Sequence, residues 1–145
     1  MARLLPGTAV RVRRGRRRDR AAVEALLAVP DGDRLERVFR RILADLGTDV
    51  YVAEDERGEI VGMVSVLYAR SLACGGLAAL LDGARTRRPA LLPGLLAFAE
   101  ERARKRGCRR LAAWVDAGDV ELRAALLARG YHAGDLLVTR LGEAS

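Results

Sequence analysis

Residues 75–108 read GGLAALLDGARTRRPALLPGLLAFAEERARKRGC and predict a strand, a basic turn and a long helix. The apolar run Leu77–Leu81 indicates a buried strand, and Asp82–Arg88 indicates a short turn with glycine and arginine. The helix that follows is amphipathic, has basic residues near its end and is capped by Gly107. The first amides of a helix have no intrahelical acceptor, and the helix dipole places positive charge there. The stretch therefore predicts an anion-binding junction.

The composition is that of a globular protein with a substantial core. The chain has 145 residues, of which 50% are hydrophobic and 31% are charged, and this length fits one domain. No apolar run approaches the roughly 20 residues that span a membrane, and residues 1–18 have too short an apolar segment for a secretory signal. Cys74 and Cys108 lie far apart without metal-ligand spacing. We therefore expect free, buried thiols in a cytoplasmic protein.

The net charge of +7 permits two interpretations. A basic protein can bind nucleic acid or another polyanion. Nearly all of the positive charge is arginine, however, and the abundance of Ala, Arg, Gly and Leu is typical of a codon bias, which we favour. The arginine-rich residues 11–20 either contact phosphates or form a solvated turn before a helix, and we favour the solvated turn.

Hydrophobic periodicity divides the rest of the chain into short elements that follow a loose arm at residues 1–8. Strands are predicted at Ala9–Val12, Val50–Ala53, Ile60–Tyr68 and Arg110–Val115, with last strand material at Tyr131 and Leu136–Leu141. Amphipathic helices are predicted at Arg20–Val29, Arg34–Leu46 and Val120–Arg129. With residues 75–108, the element order is β-α-α-β-β-β-α-β-α-β.

Polar residues and glycines mark the ends of the predicted helices. Asp19, Asp33 and Asp119 each precede a helix and are predicted N-caps. Gly47 and Gly130 each follow a helix and suit a left-handed C-cap.

The element order resembles that of the GNAT superfamily of acyl-CoA-dependent N-acetyltransferases over residues 9–141. Local matches are VRVRRGRRRDRAAVEALL (residues 10–27), AEDERGEIVGMVSV (residues 53–66) and AEERARKRGCRRLAAWVDAGDVELRAALLARGY (residues 99–131). The resemblance implies an α/β (α+β) fold in which helices cover both faces of a mixed, mostly antiparallel sheet of six to seven strands. It also implies a single acetyltransferase domain over residues 1–145, with a cleft where the fourth and fifth strands part.

The family's cofactor motif is a basic residue, two variable residues, a glycine, a variable residue and then glycine or alanine. Here it corresponds to Arg87–Leu92, where Ala90 and Leu92 replace the glycines and Pro89 removes one donor. Each amide–phosphate bond is worth roughly 1.5–3 kcal/mol, so side-chain obstruction of two amides would cost roughly 3–6 kcal/mol. Direct phosphate contacts from Arg85 and its basic neighbours would offset part of that loss. The alternative is an ordinary strand–helix junction with solvated arginines.

The resemblance implies acetyl-CoA or another acyl-CoA as cosubstrate, and no metal. The cofactor-binding residues it implies are Leu81, Asp82, Arg87, Arg88, Pro89, Ala90, Leu91, Leu92 and Asp119. Asp119 stands where members often carry an asparagine near the pantetheine arm, although a helix N-cap is the role we favour for it.

The catalytic residues are unassigned. Leu126 stands where many family members carry a proton-donating tyrosine, and Tyr131 is at a position that usually packs. Asp82 follows the Leu77–Leu81 strand, where the family's cleft opens, and either accepts an ammonium proton or caps a turn; we favour the turn. His132 is the only histidine and has no Ser, Cys or His partner at informative spacing.

The leading hypothesis from the resemblance is transfer of an acetyl group from CoA to a primary amine of a small molecule or a protein. Asp31 and Asp33 lie in the loop that often contacts the acceptor in this family, but they also suit a turn and a cap. The alternative is a catalytically degenerate binding or regulatory module, which the missing glycines and tyrosine favour. We do not favour nucleic acid as partner because residues 11–20 lack interleaved aromatics. No membrane partner is expected, and a homodimer is left open.

Overall fold

The structure is a computed structural model that describes residues 2–28, 32–134 and 139. Within these residues, six strands form one sheet in the order β1-β2-β3-β4-β5-β6. The strands are β1 (Arg3–Leu4), β2 (Arg11–Arg14), β3 (Thr48–Glu54), β4 (Ile60–Ser71), β5 (Gly76–Thr86) and β6 (Arg110–Ala113). The α-helices are α1 (Arg20–Leu27), α2 (Gly32–Ala44), α3 (Leu92–Lys105) and α4 (Val120–Ala128), and none of them is long and apolar enough to cross a membrane.

Helices pack on both faces of the sheet. α3 and α4 cover one face, where Leu95 and Leu96 are completely buried. α1 and α2 cover the other face, where Val23 and Phe39 pack against β3 and β4. Because β4 is covered on both faces, residues 60–66 are all buried and show no alternation of exposure. The predicted fold class, a mixed α/β protein with a mostly antiparallel sheet, is confirmed.

The sheet is antiparallel except at β5 and β6. These two strands pair in parallel from Ala78 opposite Arg110 to Leu81 opposite Ala113. The Trp114 amide then donates to the Leu81 carbonyl. The N···O distance is 3.0 Å, which is typical of a strand ladder. β5 continues for five residues beyond this point, to Thr86, without β6 beside it.

The predicted turn at Asp82–Arg88 is wrong, because β5 extends over most of it. β5 pairs with β4 from Gly76 opposite Ser71 to Thr86 opposite Gly62. This long-range pairing supplies hydrogen bonds to a segment whose own sequence favours a turn. Arg87 and Arg88 are thus the whole connection between β5 and a 3-10 turn at Pro89–Leu91, from which α3 continues.

The predicted loose arm at residues 1–8 is also wrong. Arg3 and Leu4 form β1, which pairs antiparallel with Val12 and Arg11 of β2. Leu5 is 4% exposed and belongs to the core beneath α3. Strand pairing and burial of Leu5 together hold this end of the chain against the sheet.

One predicted N-cap is confirmed in position only, and another is wrong. Asp19 is the N-cap residue of α1, but its side chain makes no cap hydrogen bond. It ends a 3-10 turn at Arg17–Asp19, and its carboxylate accepts from the Arg13 guanidinium at 2.8 and 2.9 Å. Arg13 is 8% exposed, so the arginine-rich segment is not simply a solvated turn. Asp33 lies inside the first turn of α2, because that helix already begins at Gly32.

The other predicted caps have mixed outcomes. Asp119 caps α4 by accepting from the Leu122 amide at 3.2 Å. Gly107 and Gly130 end α3 and α4 with positive φ of 82° and 91°, as predicted. Gly47 is not among the glycines with positive φ, so its predicted left-handed conformation is wrong.

Some predictions fall outside the described residues. The last predicted strand, Leu136–Leu141, lies outside them apart from Thr139, and so does Asp31. Tyr131 is described and is not in a strand. It follows α4 and packs against the core on the α3 side of the sheet.

Cys74 and Cys108 carry free thiols, as predicted. Both are half-buried, so the expected full burial is wrong. Burial raises the pKa of the Cys108 thiol, which therefore stays protonated and unreactive at neutral pH.

Candidate functional site

A cleft opens where β5 and β6 part. Its volume is about 290 Å³, and it begins beyond the last paired residues, Leu81 and Ala113. Leu27 of α1 and Leu122 of α4 both line it. Since these helices cover opposite faces of the sheet, the cleft is accessible to groups from both faces. The lining residues are Leu27, Asp82, Gly83, Arg85, Trp114, Asp116 and Leu122.

Asp82 is at the mouth of this cleft because β5 has a β-bulge there. Ser65 of β4 pairs with Gly83 and Val66 pairs with Leu81, which leaves Asp82 as the extra residue. A bulge bends its strand and redirects a side chain, so Asp82 is neither a turn residue nor a cap. Although the residue is solvent-accessible, the protein around its carboxyl raises its pKa by desolvation. It makes no ion pair within the described residues.

Trp114 lines the cleft from the end of β6. Successive side chains of an extended segment point to opposite faces. Leu111, Ala113 and Val115 pack against the core beneath α3 and α4, so Trp114 is directed to the opposite face, where α1 lies. Its 47% exposed fraction is large for an aromatic side chain. Sequence reasoning did not select this residue, although the same alternation was visible in the sequence.

Arg85 crosses the cleft from β5 to the start of α4. Its guanidinium is hydrogen-bonded to the Asp119 carboxylate, and a second nitrogen lies 3.8 Å from an Asp116 carboxylate oxygen. Asp119 thus has two roles, since its other oxygen caps α4. The sequence suggested that Arg85 offsets missing phosphate contacts, but in the structure its positive charge is directed to carboxylates.

The strand–helix junction at Arg87–Leu92 has few amides left for an anion. The amides of this segment donate as follows: Arg87 to the Val61 carbonyl at 2.8 Å, Arg88 to the Thr86 hydroxyl at 3.0 Å, Leu91 to the Arg88 carbonyl at 2.9 Å and Leu92 to the Pro89 carbonyl. Pro89 has no amide hydrogen. At most one amide of the segment, that of Ala90, is available to an anion. The 3-10 turn is the physical reason, because it satisfies amides that a glycine loop would leave open.

The two leucine side chains of the junction point into the core. Leu91 and Leu92 are 6% and 5% exposed and belong to the core, whereas Pro89 and Ala90 are exposed. The expected obstruction by Leu92 is therefore wrong.

The outer surface of the junction is basic. The Arg88 guanidinium is 3.1 Å from an Asp55 carboxylate oxygen, and its side chain is 52% exposed. The exposed Arg87 guanidinium makes no hydrogen bond or ion pair in the described part of the chain. An anion at this junction would therefore meet exposed guanidinium groups instead of a cradle of amides.

The structure places no proton donor at the position of the family's tyrosine. Leu126 is 4% exposed and lies in the core. The Tyr131 hydroxyl donates to Glu100 at 3.1 Å, and burial raises the pKa of Tyr131 above its ordinary value. His132 and Asp33 are exposed, and neither is among the residues that line the cleft. Among the described residues, Asp82 is the ionisable group of the cleft that has no ion-pair partner.

Solved structures with the same fold are known. A transcriptional regulator from Bacillus halodurans C-125 is 24% identical with a TM-score of 0.79, covering 90% of this chain and 98% of its own. An aminoglycoside 6'-N-acetyltransferase from Acinetobacter baumannii is 17% identical with a TM-score of 0.76. The match covers 94% of this chain and 99% of the acetyltransferase. Another aminoglycoside N-acetyltransferase, solved in complex with CoA, is 16% identical with a TM-score of 0.77. The match covers 97% of this chain and 100% of that enzyme. No protein-family model matches the chain, and no curated protein matches its sequence.

These likenesses show the fold. The chain has the fold of the GNAT acetyltransferases, and the resemblance predicted from its element order is confirmed at that level. One protein with this fold is described as a transcriptional regulator and others as acetyltransferases. Because one fold supports several functions, the activity has to be argued from the cleft itself.

Proposed function

We propose that the chain is a single-domain N-acyltransferase that moves an acetyl or other acyl group from acyl-CoA to a primary amine. The observation that carries the proposal is the parting of β5 and β6 beside a bulge whose carboxylate, Asp82, has no ion-pair partner in the described residues. The same fold binds CoA in one of the matched acetyltransferases. The cleft offers a place where an amine and a thioester can meet.

The cosubstrate would be held by side chains more than by backbone. Arg87 and Arg88 lie on the outer surface of the junction, where the N-terminus of α3 also favours negative charge. Beyond Leu81, β5 pairs with β4 but not with β6, so amides on the edge that faces away from β4 can contact a thioester carbonyl. This arrangement supports binding that is weaker than a complete glycine motif would give.

The reaction removes two protons from an acceptor that enters as an ammonium ion. The neutral amine nitrogen attacks the thioester carbonyl carbon, the C–S bond breaks, and the sulfur leaves as a thiolate with its electron pair, while the nitrogen loses its second proton to solvent. An acceptor amine that enters as an ammonium ion must first lose a proton, and we assign that proton to the Asp82 carboxylate, directly or through a water molecule. Because the cleft raises the pKa of Asp82, this carboxylate is a better proton acceptor than one in water. Leu126 offers no proton to the thiolate. The thiolate therefore leaves unprotonated or takes its proton from solvent.

Titration calorimetry with acetyl-CoA tests the cofactor part of the proposal. We expect binding that is weakened about a hundredfold in the double variant Arg87→Ala/Arg88→Ala, since two charge-assisted contacts of about 1.5 kcal/mol each are lost. The double variant Arg37→Ala/Arg41→Ala is the matched control, because it removes the same charge from the exposed face of α2. Absence of binding at millimolar acetyl-CoA in the unmodified protein would overturn the proposal.

A second candidate is a binding or regulatory module that no longer catalyses. The observations that favour it are the occupied amides of the Arg87–Leu92 junction and the apolar Leu126. A thiol-release assay with a panel of primary amines separates the two candidates. Thiol release that depends on amine supports the enzyme, whereas tight acetyl-CoA binding without amine-dependent release supports the module.

A further inference from the structure

Trp114 has no part in the function proposed so far. It is the only tryptophan of the chain, it is 47% exposed, and it lines the cleft. Large aromatic side chains are usually buried where they have no binding role, because their apolar area dominates the free energy of packing. The exposed ring at the end of β6 is therefore accessible to a partner that enters the cleft.

The groups around Trp114 indicate the chemistry of that partner. Asp82 and Asp116 line the same cleft, and Asp119 is joined to it through Arg85. The cleft thus combines three carboxylates with one guanidinium. The whole protein has a net charge of +7, so this cleft has the opposite sign to the molecule around it.

An aromatic face beside carboxylates selects a cation. The ring quadrupole attracts an ammonium group, and carboxylates add a longer-range attraction. A neutral aromatic partner would gain from the ring but would have to displace water from the carboxylates without compensation. A phosphate or another anion would be repelled.

We infer that Trp114 is an acceptor-binding residue and that the acceptor is a small aliphatic amine bound as a cation between the indole ring and Asp82. The inference rests on the proposed function, because it names the acceptor class of the same cleft. Trp114 would position the ammonium group, and Asp82 would then take its proton as described above. An acceptor with a second amino group gains a further contact at Asp116, whose side chain is 80% exposed.

Because the chain has a single tryptophan, its fluorescence reports on this cleft alone. We propose titration with 1,5-diaminopentane, with 1,5-pentanediol as the neutral probe of equal length. The diamine should change the emission in a saturable manner and lose affinity several-fold between 50 and 300 mM salt, because salt screens the carboxylates. The diol should give no saturable change. An equal response to both probes would overturn the inference.

Variants test the role of the ring. Trp114→Leu should weaken diamine binding about fivefold to tenfold by calorimetry, since a cation–π contact at a partly exposed site is worth about 1 kcal/mol. The diamine affinity of Trp114→Phe should lie between that of the unmodified protein and that of Trp114→Leu, because a smaller ring attracts a cation less strongly. Leu46→Ala is the control for loss of an exposed apolar side chain outside the cleft, and it should leave binding unchanged.

The failure of this inference is distinguishable from the failure of the proposed function. Acetyl-CoA affinity of Trp114→Leu should stay within twofold of the unmodified protein, while the KM for the diamine rises fivefold to tenfold. If acetyl-CoA binds and the diamine KM is unchanged in Trp114→Leu, the acceptor inference is wrong and the acyltransferase proposal stands. If the diamine binds through Trp114 but acetyl-CoA does not bind at all, the acyltransferase proposal is wrong and a cation site is what remains.

Discussion

The ion pair of Arg13 with Asp19 and that of Arg85 with Asp119 join the same residue types in very different surroundings. The Arg13 and Asp19 side chains are 10% and 4% exposed, and they meet through two hydrogen bonds of 2.8 and 2.9 Å. The Arg85 and Asp119 side chains are 32% and 19% exposed, and they meet across the cleft between β5 and α4.

The difference lies in what replaces the partner if the pair is broken. Arg13 is enclosed, so loss of Asp19 leaves a buried guanidinium with Glu54, at 2.7 Å, as its remaining carboxylate partner. Arg85 borders a cleft that admits water, and Asp116 is a second acceptor nearby. We therefore expect the first pair to contribute more to the stability of the fold than the second.

Removal of Asp19 is the strongest test of this comparison. Asp19→Ala should lower the free energy of unfolding by about 3–5 kcal/mol, because it leaves Arg13 buried with incomplete compensation. Urea denaturation measures the change. The control is Asp33→Ala on the exposed first turn of α2, which should stay within about 0.5 kcal/mol of the unmodified protein. Equal losses in the two variants would mean that burial does not distinguish these carboxylates.

Asp82 tests whether the cleft carries chemistry. Asp82→Asn should lower kcat for a primary amine about a hundredfold, the lower end of what a general base contributes, because water can replace part of its role. A base must be deprotonated, so the rate should rise as pH increases through the pKa of Asp82, which desolvation places above the ordinary value of about 3.9. This rise should be absent in the variant. An unchanged rate, with unchanged acetyl-CoA affinity, would remove Asp82 from the mechanism.

The sequence predicted the elements on either side of the cleft better than the cleft itself. The periodicity of α3 and the glycines that end α3 and α4 are local signals, and the structure confirms them at Gly107 and Gly130. The length of β5 is not a local property. Gly83 and Arg85 indicate a turn by themselves, and only pairing with β4 makes them part of a strand.

Ion-pair partners were beyond sequence reasoning for the same physical reason. Arg13 bonds Glu54, 41 residues away, and Arg85 bonds Asp119, 34 residues away. In a chain with 26 basic and 19 acidic residues, composition alone permits many other pairings. Only the sheet, which brings distant strands together, decides which arginine is buried and which one faces the cleft.

The pH dependence of stability sharpens the comparison further. Desolvation would raise the pKa of Asp19, but hydrogen bonds from the Arg13 guanidinium and the Arg16 amide outweigh it, and the pKa is lowered. The folded state therefore binds this proton less tightly than the unfolded chain does. The resulting stabilisation is present above about pH 3.9 and is lost as pH falls through the lower pKa of the folded state.

Urea denaturation between pH 5 and pH 2 measures this loss. The loss of stability over this range should be larger in the unmodified protein than in Asp19→Asn, seen as a difference in slope between the two pH profiles. Parallel pH profiles for the two proteins would contradict the lowered pKa.

The smallest expected effect is at the pair that crosses the cleft. Arg85→Gln should lower the free energy of unfolding by less than about 1 kcal/mol, as is usual for a partly exposed ion pair. Asp119→Asn removes the same ion pair but keeps a good N-cap for α4, so it should match Arg85→Gln, whereas Asp119→Ala should lose about 1 kcal/mol more through the cap. A double-mutant cycle between Arg85→Gln and Asp119→Asn gives the coupling energy directly. A coupling of 3 kcal/mol or more would place this pair beside that of Arg13 and Asp19 as part of the fold, and the cleft would then be held closed by its own charges.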